Sequence, residues 1–81
     1  MIIKIDDNAI KELSKIDKSN ANKILIKIET LEDFPKISNI KKLTNFYPPY
    51  RLRVGNYRVL FDIEDDILTI YTIKHRSKSY K

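Results

Sequence analysis

There is no cysteine anywhere in the 81 residues. A disulfide framework and a thiolate metal site are therefore excluded, and the usage fits a reducing cytoplasm. No apolar run approaches the roughly 20 residues of a membrane span. The opening MIIKID is too short and too soon charged for a span or a signal-peptide core. A cytoplasmic chain with no membrane partner is expected. The sequence also lacks a Walker loop, HExxH, GxSxG and any zinc-ligand spacing. Neither a cofactor nor a resident metal is expected. Without repeats, low-complexity tracts or a linker, residues 1–81 read as one small domain. A domain of this size buries only about 60–65% of its unfolded surface, so its stability margin is thin.

What the chain has is charge, unevenly placed. The net charge is +5. Residues 1–34 carry six lysines against seven carboxylates, whereas residues 35–81 carry ten basic side chains against four acidic ones. All four arginines fall between positions 51 and 76. Arginine presents a planar fork matched to phosphate, and lysine a point charge. A codon bias explains many lysines; it does not explain arginines gathered in one segment.

The spacing of apolar residues sets the elements. Ile2, Ile3 and Ile5 mark a first strand, and Asp6 or Asp7 can cap a helix after it. Ile10, Leu13 and Ile16 give that helix a narrow apolar stripe. The chain turns near Asp17–Asn20, where Ser19 can cap a second helix carrying Ala21, Ile24, Leu25, Ile28 and Leu31. Pro35 ends it. Residues 35–49 read as an irregular crossover. Three alternating strands follow, over YRLRV, YRVLFDI and Ile67–Ile73, joined at Gly55-Asn56 and Asp65-Asp66. The expected fold is α+β: a helical hairpin packed on a small, mainly antiparallel four-stranded sheet, in the order β-α-α-β-β-β.

Alternation places Tyr50, Leu52 and Val54 on one face and Arg51 and Arg53 on the other. A two-residue turn at Gly55-Asn56 pairs Val54 with Tyr57 and Arg53 with Arg58. Val59, Phe61 and Ile63 then join the apolar face, and three guanidinium groups share the opposite one. Like charges directly opposed in a sheet are destabilising, so folding alone gives no reason for the row, while a polyanion does. A two-residue Asp65-Asp66 turn pairs Thr69 with Asp62, Tyr71 with Leu60 and Ile73 with Arg58. His75 and Arg76 then emerge beside Arg58, with Tyr80 four residues on. Arg51, Arg53, Arg58, Arg76, His75, Tyr71 and Tyr80 form the candidate constellation, with Lys74 and Lys78 beside it. Such a set allows RNA cleavage. Arginines neutralise the phosphorane, a titrating group moves the protons, and an exposed ring stacks on a base.

The run YRLRVGNYRVLFDI, a short acidic turn, a strand and then HRSKSY is similar to the RelE/ParE superfamily of toxins from toxin–antitoxin pairs. The resemblance covers nearly the whole chain. It implies a ribosome-dependent, metal-independent mRNA endonuclease that acts by 2′-hydroxyl attack in the ribosomal A site. It gives Arg58 and Arg76 the transition-state role and Tyr80 that of the terminal catalytic tyrosine. The general base is left to His75 or Tyr80. Arg51 and Arg53 match positions that the family fills with basic residues; together with Lys74, Lys78 and Tyr71 from the strand reading they are the expected RNA-binding residues. A cognate RelB-like antitoxin is the implied partner, alongside the ribosome and mRNA. Two alternatives stand beside this reading: a ParE-like toxin that poisons DNA gyrase, and a nucleic-acid-binding module without chemistry.

Overall fold

Strand β1 (Ile2–Ile5) stops at Asp6, whose carboxylate accepts the Asn8 amide at 3.2 Å and starts helix α1 (Asp7–Ser14). The computed structural model describes residues 1–34, 36 and 40–78. Helix α2 (Lys18–Glu29) is capped by Asp17, not by Ser19: the Asp17 carboxylate accepts the Asn20 amide at 3.1 Å. Ser19 falls inside the first turn, where its hydroxyl is past the capping position. A 3₁₀ turn, Thr30–Asp33, continues α2 and delivers the fully buried Leu31. Pro35 lies outside the described residues.

Of the expected apolar stripe, Leu13 and Ile16 pack against the core, but Ile10 does not. Ala9 is fully buried, while Ile10 is 51% exposed. The small Ala9 lets the helix approach strand β5 (Ile67–His75) closely. Asn8 Nδ2 donates to the Tyr71 carbonyl at 3.1 Å, and the Ile73 amide donates to Glu12 Oε1 at 2.8 Å. Beyond the end of β1, α1 thus supplies side-chain partners to the edge of β5 that β1 leaves open.

Among the described residues the sheet has five strands, in the order β1-β5-β4-β3-β2, rather than four. The extra one is β2 (Ile40–Lys42), inside the segment expected to be irregular. Its three residues are too few for alternation to register in a sequence. They form a strand because β3 (Tyr50–Val54) offers an edge, pairing Ile40 with Leu52 and Lys42 with Tyr50. β1 runs parallel to β5, and the other pairs are antiparallel.

The β3–β4 hairpin has the expected register. Val54 pairs with Tyr57 and Arg53 with Arg58, β4 being Tyr57–Glu64. Gly55 turns the chain at φ 58°. Asp65 and Asp66 both take positive φ, 52° and 64°, as a tight primed hairpin turn requires. Asp62 therefore faces Thr69 as expected. Two residues further, a bulge changes the phase. Phe61 faces Ile70 and Leu60 faces Thr72, so Tyr71 is the extra residue. Ile73 consequently pairs with Val59 and Lys74 with Arg58, correcting the expected Ile73–Arg58 and Tyr71–Leu60 pairs. The bulge lets Ile70 and Ile73, three apart in sequence, both reach the core. An uninterrupted ladder would have turned Ile73 onto the charged face.

Both helices pack on the face carrying Leu52, Val59, Phe61, Leu68 and Ile70. Phe61 is fully buried; its ring stacks on Tyr50 at 5.5 Å and meets Phe34 edge-on at 6.1 Å. Among the described residues, neither α1 nor α2 covers the opposite face of the sheet.

Candidate nucleic-acid interface

Two rows of side chains cross the helix-free face. Register aligns Lys41, Arg51, Leu60 and Thr72 in one, and Arg53, Arg58 and Lys74 in the next. Lys41 opposes Arg51, and Arg58 lies between Arg53 and Lys74. Among the described residues, five cationic side chains thus occupy four adjoining strands, at an electrostatic cost to the fold. Leu60, buried but outside the main core cluster, forms their apolar floor. Lys41 was missing from the sequence reading because the strand that carries it was missing too.

Arg58 is more deeply set than the sequence suggested. It is only 9% exposed, and its Nη1 donates to the carbonyls of Gly55 and Tyr57, each at 3.0 Å. Its head group is thereby fixed against the β3–β4 turn. The same turn holds the end of the chain's described part. The Arg76 amide donates to the Asn56 carbonyl at 2.7 Å as the closing 3₁₀ turn, Arg76–Lys78, begins. Adjacent carbonyls of one turn therefore anchor two arginines that are eighteen positions apart. Tyr80 and the side chain of Lys78 lie outside the described residues.

His75 does not join Arg58. It pairs with Tyr57, meets that ring edge-on at 5.4 Å, and faces the helix side of the sheet. The bulge is the cause: with Ile73 turned inward, His75 follows it two residues later and Lys74 takes the place beside Arg58. Nδ1 of His75 faces the Ser77 hydroxyl at 3.0 Å and accepts the Ser77 amide at 3.3 Å. In the neutral ring this assigns the proton to Nε2. His75 instead lines a cleft of about 450 Å³ with Glu12, Lys15, Tyr57 and Lys74.

Glu12 is a second residue the sequence did not single out. Its carboxylate accepts from the Thr72 hydroxyl at 2.7 Å and the Ile73 amide at 2.8 Å, and pairs with Lys74 Nζ at 2.8 Å. Burial alone would push this carboxyl up. Lys74, the Ile73 amide and Thr72 outweigh it and hold Glu12 below its ordinary value. Lys74 reaches the basic face already paired, so its charge there is partly compensated. Nothing local in α1 signals this role, since Glu12 and Lys74 meet only when the helix packs on β5.

At the other end of the same face the charge reverses. Asp62, Glu64, Lys4, Thr69 and Tyr71 line a hollow of about 190 Å³. Between the two halves lies the loop joining β2 to β3, closed by the Leu43 amide donating to the Pro49 carbonyl at 2.7 Å. From it Tyr47 reaches across β4 to Tyr71, with ring centroids 5.9 Å apart. Interaction with the Tyr71 hydroxyl, then desolvation and the Asp62 carboxylate, push the Tyr47 phenol up to about 12.

Known proteins share this architecture. Residues 3–80 match the family described as "ParE toxin of type II toxin-antitoxin system, parDE". RelE1 of Methanocaldococcus jannaschii is 32% identical over 84 residues, spanning 98% of this chain and 93% of its own length. In the archaeal RelE–RelB complex from Pyrococcus horikoshii OT3, the matching chain is 25% identical with a TM-score of 0.76. That match covers 96% of this chain and 97% of the other. The isolated E. coli RelE toxin, 18% identical, shares the fold at a TM-score of 0.75 over 91% of this chain and 82% of its own. A match over almost the full length, joined to a relative above 30% identity, shows that this chain belongs to the RelE/ParE superfamily of toxins from type II toxin–antitoxin systems.

Proposed function

We propose that this toxin cuts mRNA in the ribosome by metal-independent attack of a 2′-hydroxyl on the adjacent phosphate. The observation carrying this reading is the shared anchoring of Arg58 and Arg76 at the Gly55-Asn56 turn, beside Arg51 and Arg53. A dianionic phosphorane needs charge placed before it forms; the Arg58 guanidinium is held by backbone carbonyls and needs little reorganisation, while the backbone amide of Arg76 tethers that residue to the same turn. In the step, O2′ loses its proton and bonds to phosphorus. The P–O5′ bond breaks and O5′ takes up a proton, leaving a cyclic phosphate and a 5′-hydroxyl. Arg58 and Arg76 neutralise the phosphoryl oxygens, and Arg51, Arg53 and Lys74 hold the flanking chain. Proton transfer falls to Tyr80, the position the resemblance gives to the terminal tyrosine. His75, on the helix side, orders the turn that carries Arg76.

A cognate RelB-like antitoxin is the proposed partner, since solved relatives are RelB–RelE antitoxin–toxin complexes. An acidic or amphipathic chain would neutralise the opposed cations of the outer face and add stability by binding only the folded toxin.

The test is translation in vitro on a defined mRNA with fragment ends mapped, and free RNA run in parallel. Wild-type protein is expected to cut only on ribosomes. Arg76→Ala, an exposed substitution, is expected to lose at least 100-fold in rate with its melting temperature unchanged, about the loss for one electrostatic donor. Intact mRNA together with stalled gyrase on DNA would favour a ParE-like activity, a reading kept open by the family that matches residues 3–80.

A further inference from the structure

Tyr47 is 66% exposed, the largest exposed aromatic surface among the described residues. Its neighbours make that exposure unusual. Pro48 next to it is buried, and the loop closes on itself through Leu43 and Pro49. The ring rests against Tyr71 at 5.9 Å and a 49° tilt, and its hydroxyl interacts with Tyr71 and Asp62. One side of the ring is therefore supported while much of it faces solvent. An aromatic held open in this way has little conformational freedom left to lose when something stacks on it.

Its position gives the ligand class. Arg58, Leu60 and Asp62 follow one another at alternate positions along β4, so Asp62 lies about 13 Å along the strand from Arg58, and Tyr47, touching Tyr71 and Asp62, stands towards the Asp62 end of the face. On the Arg58 side of the ring the face is basic, with Lys41, Arg51 and Arg53. On the other side it is acidic, with Asp62 and Glu64. A phosphate chain is attracted to the first half and repelled by the second. Its path thus ends at the ring, where a base has a supported π-face to rest on.

We propose that Tyr47 is the stacking platform for one nucleobase of the bound RNA, at the boundary where the basic face gives way to the acidic one. The inference rests on the nuclease reading and deepens it by naming a base-recognising residue apart from the arginines. Tyr71 and Asp62 position the ring. Stacking tolerates every base but favours the larger purine surface, so Tyr47 also sets a preference at one codon position.

The experiment uses programmed ribosomes carrying a family of mRNAs that place each of the four bases at each A-site codon position. Cleavage rates are measured for wild type, Tyr47→Ala and Tyr47→Phe. Tyr47→Ala is expected to lower kcat/KM about 5- to 100-fold, the range for one lost base–aromatic stack. The loss is concentrated at one codon position, and the purine preference there flattens. Tyr47→Phe keeps the ring and stays within about 3-fold of wild type by the same stacking argument. Thermal melts of both variants, expected to stay near wild type for so exposed a side chain, separate function from folding. An equal loss at all bases, a Phe variant as poor as Ala, or unchanged cleavage overturns the proposal. So does a Tyr47→Ala protein that cuts normally but escapes its antitoxin, which would make the ring a protein contact. If wild type cuts nothing on ribosomes, the nuclease reading fails and this one falls with it, a result distinct from any difference between variants.

Discussion

Removing the Glu12 carboxylate should destabilise the toxin far more than an ordinary helix-surface substitution. Glu12 sits where β1 has ended and the edge of β5 would otherwise offer the Ile73 amide no partner strand. The carboxylate takes that amide at 2.8 Å, the Thr72 hydroxyl at 2.7 Å and the Lys74 ammonium at 2.8 Å. Hydrogen bonds to an ionised acceptor contribute about 1.5–3 kcal/mol, and a shielded donor left unmade costs about 1–3 kcal/mol. The Lys74 pair is partly exposed, which limits it to roughly 0.2–1 kcal/mol. These terms overlap, so Glu12→Ala is expected to cost about 2–4 kcal/mol. Glu12→Gln keeps an acceptor for Ile73 but presents no charge to Lys74, and should cost about 1–2 kcal/mol. At about 4–8 °C per kcal/mol for a domain of this length, the Ala variant melts at least 8 °C lower. Urea and thermal unfolding at pH 7 read both values.

The pH dependence gives a second arm to the same test. The folded-state Glu12 carboxyl lies below its ordinary value of 4.5. Its contribution is therefore full above the unfolded value and is lost as pH falls through the lowered one. The gap between wild type and Glu12→Gln should begin to narrow as the pH falls below 4.5 and close once it has passed through the lowered folded-state value. A Glu12→Ala cost under about 0.5 kcal/mol, or a gap that is constant with pH, would refute the argument that this carboxylate substitutes for a strand.

Phe61→Ala removes a fully buried ring from between Tyr50 and Phe34 and is expected to cost about 3–5 kcal/mol in denaturant unfolding. Arg58→Ala is not neutral for the fold: losing the donors to Gly55 and Tyr57 should lower stability by about 1–2 kcal/mol in urea melts, alongside its loss of activity. Absorbance titration at alkaline pH should show one phenol ionising at about 12, and Tyr71→Phe should bring it down further than Asp62→Asn.

The pattern from Tyr50 to Ile63 carries the charged face in the sequence itself. Alternation fixes which residues share a face, and a two-residue turn around the lone glycine fixes the register, so Arg51, Arg53 and Arg58 had to fall together. Both rules act between neighbours a few residues apart, which is why they can be read along the chain. The helical hairpin was legible for the same reason, although Ala9 rather than Ile10 turns inward because the helix must approach β5 closely.

Other features depend on contacts between distant segments. β2 forms because β3 presents an edge, and its three residues carry no periodic signal of their own. The extra residue at Tyr71 reverses the facing of everything after it, carrying His75 away from Arg58 and bringing Lys74 in. That choice follows from fitting both Ile70 and Ile73 into one core, a packing demand spread over several strands. Glu12 and Tyr47 acquire their roles only through partners about sixty and twenty-four positions away. The linear order of residues thus determined the charged face itself, while three-dimensional packing decided which proton carriers and aromatic rings stand beside it.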